Sequence, residues 1–157
     1  MNYLRQHLAK TKLVALTFLC LALLISVVEV SKASVGTINK ADLSGPWQMT
    51  LFGNTGCGLE SMLVTFTLNG SGVANNASET IHVVNGSPCT DGSVTTGNNF
   101  TITSLSSNGS GTAGLTCGTG CGWTFHIQVA ADRSEFNVVD VEPTNPNNLL
   151  HGVAVHQ

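Results

Sequence analysis

Outside the first 33 residues, the side chains with chemical potential are four cysteines, four histidines and a few acids. Cys57, Cys89, Cys117 and Cys121 form an even set, which in an exported chain reads first as disulfides. Three pairings are open. Cys57 with Cys89 and Cys117 with Cys121 is favoured, because the glycines of Cys117-Gly118-Thr119-Gly120-Cys121 let the backbone turn sharply enough for a short bridge. Chain entropy assigns about 3.7 kcal/mol to the longer loop and about 2 kcal/mol to the shorter one. The competing chemistry is a thiolate metal site. The set contains no C-x-x-C pair and an oxidising compartment disfavours thiolates, so neither metal nor cofactor is expected.

His82, His126, His151 and His156 read as solvated strand residues rather than ligands or bases. His151 and His156 differ by an odd number, so a regular strand sets them on opposite faces. The chain has no G-x-S-x-G nucleophile elbow, and Gly70-Ser71-Gly72 and Gly109-Ser110-Gly111 are turn sequences. Asp140 follows Phe136 and Val138 at period two and would point inward with them; the alternative register presents Val139 and Val141 to the core. A buried carboxylate there would need a partner. Asp140 and Glu142 have the residue types of a glycosidase pair but no supporting motif, and the expectation is that the chain is not an enzyme. Five N-x-S/T sequons, beginning at Asn69, Asn76, Asn85, Asn99 and Asn108, follow from the composition.

The elements that position these residues are strands. Apolar alternation recurs at period two between Gly, Asn and Ser breaks, and no segment sustains a helical period. The strands read as Trp47 to Phe52, Met62 to Leu68, a third within Val73 to Val84, Phe100 to Leu105, Thr112 to Cys117, Trp123 to Val129, Glu135 to Val141 and Leu149 to Val155. Eight strands with no crossover helix predict an all-β fold, an eight-stranded antiparallel up-and-down meander closed into a barrel, because closure removes the two unpaired edges. A two-sheet β-sandwich is the alternative. The connections are predicted to be unequal. Those following odd strands are long, at Gly53 to Ser61, Asn85 to Asn99, Gly118 to Gly122 and Glu142 to Asn148; those following even strands are tight, at 69–72, 106–111 and 130–134. In a meander, alternate connections fall at opposite ends. One end is therefore sealed, and the other carries every long loop and all four cysteines.

The N-terminal segment has Arg5, Lys10 and Lys12 before an apolar run from Leu13 to Val28, followed by Ser31-Lys32-Ala33. This order of basic, apolar and small-residue regions predicts a signal peptide over 1–33 cleaved after Ala33, leaving one domain over 34–157. The alternative is an uncleaved anchor. Beyond residue 33, Lys40 and Arg133 face eight acids, while Gly, Thr, Asn and Ser supply 58 of 124 residues. Without clustered Lys and Arg, nucleic acid and anionic membrane surfaces are poor partners. The expected location is secreted, periplasmic or on the cell surface, with no stable membrane insertion after cleavage.

Leu43-Ser44-Gly45-Pro46-Trp47 opens the first strand. This G-x-W at the start of an eight-stranded meander resembles the opening of the calycin barrels, the lipocalins and avidins. The resemblance implies that Trp47 plugs the closed end of the barrel. Those families commonly set a late basic residue against that tryptophan; here the late one is Arg133, in a predicted turn. Avidins recognise biotin with several tryptophans and a tyrosine, whereas this chain beyond residue 33 has Trp47, Trp123 and no tyrosine, so biotin binding does not carry over.

The leading expectation is a disulfide-stabilised binding module. Trp47 and Trp123 would sit at the closed end and core, and Asn54, Thr55, Thr119 and Asn145 in loops that admit a small molecule, a glycan or a protein. Rigid loops lower the entropy cost of binding. The alternative is a structural or adhesive surface protein with a filled interior, since eight-stranded barrels are often just wide enough for their own side chains.

Overall fold

Eight strands close into an antiparallel up-and-down barrel in the order β1 to β8, with β8 returning to β1. The structure, a computed structural model, describes residues 36–84, 89, 91–117, 121–142 and 148–157, with side chains at 93–96, 117 and 121 excepted. The expected signal peptide lies outside the described residues. The strands are β1 (Gly45–Thr55), β2 (Gly58–Leu68), β3 (Val73–Val83), β4 (Gly92–Leu105), β5 (Ser110–Cys117), β6 (Cys121–Val129), β7 (Glu135–Asp140) and β8 (Leu149–His156).

Alternation decides which face is inside. On β6, Trp123, Phe125, Ile127 and Val129 are buried while Thr124, His126 and Gln128 are exposed, as period two requires. On β2, Met62, Val64, Phe66 and Leu68 face in. On β7, Phe136 and Val138 are buried and Val139 is exposed, which selects the inward register for Asp140.

The sealed end is the pole bearing the 69–72, 106–109 and 130–134 turns. Asn69 and Asn108 hold two of these turns, their Oδ1 atoms accepting the N–H groups of Ser71 and Ser110 at 2.9 and 3.1 Å. A 3₁₀ turn, η1 (Lys40–Leu43), lies across this pole and was not evident from periodicity. It is capped by Asn39, whose Oδ1 accepts from the Ala41 N–H at 3.0 Å, and pinned by Lys40 Nζ donating to the Ile102 and Thr103 carbonyls. Arg133 Nε lies 3.5 Å from Asp42 Oδ2. Leu43 is buried, and its carbonyl accepts the Trp47 indole N–H at 2.8 Å, so Trp47 is both packed and hydrogen-bonded beneath the plug. Below it the rings form a chain. Trp47 and Phe136 have centroids 4.9 Å apart, Phe136 and Phe100 6.0 Å, and Phe100 and Phe66 4.5 Å.

At the opposite pole the loop expectation needs correction. The connection placed at Gly53 to Ser61 is only the turn Gly56–Cys57, because the β1–β2 ladder continues through Gly53↔Glu60, Asn54↔Leu59 and Thr55↔Gly58. The stretch placed at Asn85 to Asn99 is shortened likewise. β4 begins at Gly92, whose polar residues do not alternate but are held by pairing with β3 at Ile81↔Gly92, Thr80↔Ser93 and Glu79↔Val94. Cross-strand hydrogen bonds, which apolar patterning does not register, extend both ladders. The longer connections at this pole are therefore 84–91 and 141–148.

Candidate functional site

The looped half of the barrel holds an inward-facing polar cluster formed by β1, β2, β3 and β4. Extending β2 back to Gly58 gives Glu60 the same parity as Met62 and Val64, and Glu60 is buried. On β3, Glu79 shares the inward parity of Ile81 and Val83. It does so because a bulge at Asn75–Ala77 shifts the register, leaving both Ala74 and Ala77 inside although they are an odd number apart. Asn98 on β4 is buried beside Glu79, and its Nδ2 donates to Glu79 Oε2 at 3.0 Å.

These groups form a graded polar track. Exposure is 0% at Asn98, 1% at Glu79, 3% at Glu60 and 8% at Thr55, rising toward the looped rim. Thr55 hydrogen-bonds Glu60, and its Oγ1 accepts the backbone N–H of Cys57 at 3.1 Å. Burial pushes the Glu60 carboxyl above its ordinary range, the Thr55 hydrogen bond pulling weakly the other way. Glu79 is also raised, first by burial and then by the negative charge of Glu60. Glu79 Oε1 and Asn98 Oδ1 have no hydrogen-bond partner although both are buried. Two buried acceptors without a donor are costly, on the order of 1–3 kcal/mol each.

Above this track, the Cys57–Cys89 disulfide ties the β1–β2 turn to the β3–β4 connection, as the sequence favoured. Asp91 reinforces the same corner. Its Oδ1 accepts the Val83 N–H at 2.9 Å and its Oδ2 lies 2.8 Å from His82 Nδ1, and these contacts hold its carboxyl below the usual range.

The chain matches no family model, no curated protein and no solved structure. Its reading therefore rests on its own residues.

Of the residues singled out from sequence, Thr55 does belong to the site, though as an inward strand residue rather than a loop residue. Asn54 is also in β1, paired with Leu59 and Leu149. Thr119 and Asn145 lie outside the described residues. Cys117 and Cys121 pair directly across the β5–β6 hairpin through their backbones; their side chains, and hence the proposed second bridge, lie outside the described residues. Trp47 sits at the sealed pole. Trp123 is core but near the opposite pole, since β6 starts there. Asp140 faces inward on β7, where its Oδ1 accepts the Glu142 N–H at 2.9 Å and its buried Oδ2 has no partner. His82, His126 and His151 are exposed on the outer wall, and His156 packs edge-on against Trp47. Among the described residues no three His, Cys, Asp or Glu side chains converge on a point that could hold a metal.

Sequence reasoning missed Glu60 and Glu79. The signal was present: each extends an apolar alternation by one inward step, Glu60 before Met62-Val64-Phe66 and Glu79 before Ile81-Val83. A carboxylate at an inward step reads as the end of a strand unless burial is known.

Proposed function

We propose that this protein is an exported, disulfide-stabilised β-barrel that binds, rather than transforms, a small ligand in the looped half of its interior. The ligand class that fits is one presenting hydrogen-bond donors, an alkylammonium group best of all. One observation carries this reading: Glu79 Oε1 and Asn98 Oδ1 are buried acceptors with no donor, beside the second carboxylate of Glu60. A barrel that needed only to be packed would gain stability from apolar side chains at these positions. An ammonium group supplies the missing donors and the opposite charge together. Without it, a proton on Glu79 provides one donor, so ligand entry would release that proton. The disulfide supports an exported location, since such bonds persist in oxidising compartments, and the barrel with its G-x-W opening is consistent with the calycin-like reading.

The test is thermal unfolding at neutral pH with methylammonium, choline and putrescine as probes, together with native mass spectrometry of protein taken from its source. A rise in Tm with at least one probe, lost in Glu79→Gln, is expected. No rise with any of them, combined with a bare-chain native mass, overturns the proposal.

A structural or adhesive role is the second reading, and the outer wall favours it. Phe52, Leu59, Leu63, Val139, Leu149 and Val155 are exposed on four consecutive strands, β7, β8, β1 and β2. Exposed apolar side chains gathered on one wall, here interleaved with Thr50, Asn54, Ser61 and His151, mark association sites. Concentration-dependent self-association without any small-molecule response would support this second reading.

A further inference from the structure

The barrel wall is interrupted near the sealed pole, on its outside and away from the interior acids. β2 runs to Leu68 and β3 starts at Val73, yet their register ends at Thr65↔Ser78. The chain closes again only at the turn, where the Asn69 N–H donates to the Val73 carbonyl at 2.9 Å. Between these points β3 follows β4 instead of β2. It does so through the Asn75–Ala77 bulge, in which Asn76 takes φ 60°, a left-handed conformation that costs a non-glycine residue on the order of 1 kcal/mol and that Asn tolerates best. The separation leaves an open groove of about 380 Å³, within the size range of small-molecule sites.

The chemistry of the groove is uniform. Its polar walls are Gln48, Thr65, Thr67, Asn75, Asn76 and Ser78, with Gln157 at one end, and no charged side chain lines it. None of those six side chains is engaged in a hydrogen bond within the described protein. Its apolar floor is Pro46, with Trp47 and Phe66 also in the lining and almost wholly buried.

We infer that this groove binds an uncharged saccharide unit. Amides and hydroxyls that both donate and accept match sugar hydroxyls, which do the same, and the apolar floor suits the C–H face of a pyranose. An ionic ligand would find no charged side chain in the lining, and an apolar ligand would bury unpaired amides. An extended peptide, drawn to the unpaired strand segments, is the competing occupant.

Amide chemical shifts of the full exported chain can be followed by NMR during titration with cellobiose, maltose and N-acetylglucosamine. Glucuronate and an uncharged hexapeptide of alternating Thr and Val serve as comparators. The expected result is saturable shifts with at least one neutral sugar, confined to Gln48, Thr65 to Thr67, Asn75 to Ser78 and Gln157. Ser78→Tyr, which fills the groove from a half-buried position on its wall, should weaken that sugar about tenfold or more, and Thr67→Ala with Asn75→Ala should weaken it less, with the dispersed spectrum retained in both. The inference is overturned if no neutral sugar shifts these amides, if the peptide or glucuronate saturates the groove and the sugars do not, or if Ser78→Tyr leaves sugar binding unchanged. Because the readout is local to this wall, failure here leaves the interior ammonium site standing, and the converse also holds.

Discussion

The two halves of the barrel interior fill the same cross-section with opposite chemistry. Beneath η1, Trp47, Phe136, Phe100 and Phe66 stack through the lumen, and the one polar atom among them, the Trp47 indole nitrogen, donates to the Leu43 carbonyl. Beneath the disulfide, the inward positions of β2, β3 and β4 carry Glu60, Glu79 and Asn98, with two acceptors left unpartnered. The aromatic half gains from every buried square ångström at roughly 25 cal/mol. The acidic half gives some of that gain back in desolvation. The contrast teaches that stability is concentrated at the sealed pole, while the looped pole needs a covalent tie and retains groups that a purely structural barrel would replace.

The largest effect that could break this contrast is at the sealed pole. Trp47→Ala should cost about 4 kcal/mol, the cavity left by a fully buried indole, measured by chemical denaturation; a loss near 1 kcal/mol would mean that the aromatic half does not dominate. Next, removing the disulfide through Cys57→Ser with Cys89→Ser should cost about 3.7 kcal/mol. The variant should also lose hydrogen-exchange protection at Thr55 and Glu60 before the strands of the aromatic half. Uniform loss of protection would erase the distinction between the poles.

Smaller and opposite in sign, Glu79→Gln should stabilise the ligand-free protein at pH 7 by roughly 1 kcal/mol, because the amide supplies at every pH a donor that the carboxyl has only while it holds a proton. The pH dependence follows from the same residues. A glutamate raised in the folded chain ionises first in the unfolded chain. The contribution of Glu60 and Glu79 is therefore fully present below their ordinary value of 4.5 and lost as pH rises toward neutrality. Asp91 and Asp132 are lowered, by hydrogen bonds from Val83 and Ser134 first, and act in reverse: their contribution is present above 3.8 and lost below it. Tm should accordingly peak in weakly acidic buffer and decline toward pH 7, with the decline flattened in Glu79→Gln. A Tm that climbs steadily from pH 4.5 to 7 would contradict the assignment. The smallest effect belongs to His82→Ala, which removes an exposed ring from the rim and should leave Tm unchanged.

Sequence alone determined the strand count, the inward faces of β2 and β6 and the grouping of the cysteines at one pole, and it favoured Cys57–Cys89 among three open pairings that the tertiary structure decided. Alternation of apolar residues and parity in a meander are local rules, and a chain of short polar turns obeys them. Tertiary structure decided what those rules cannot reach. Hydrogen-bond ladders carried β1, β2 and β4 through polar residues that had looked like loops, a bulge at Asn76 shifted β3 so that Glu79 fell inside, and η1 sealed a pole that showed no periodicity. Each of these depends on which strand lies alongside, and a partner distant in the chain leaves no mark on the residues read singly.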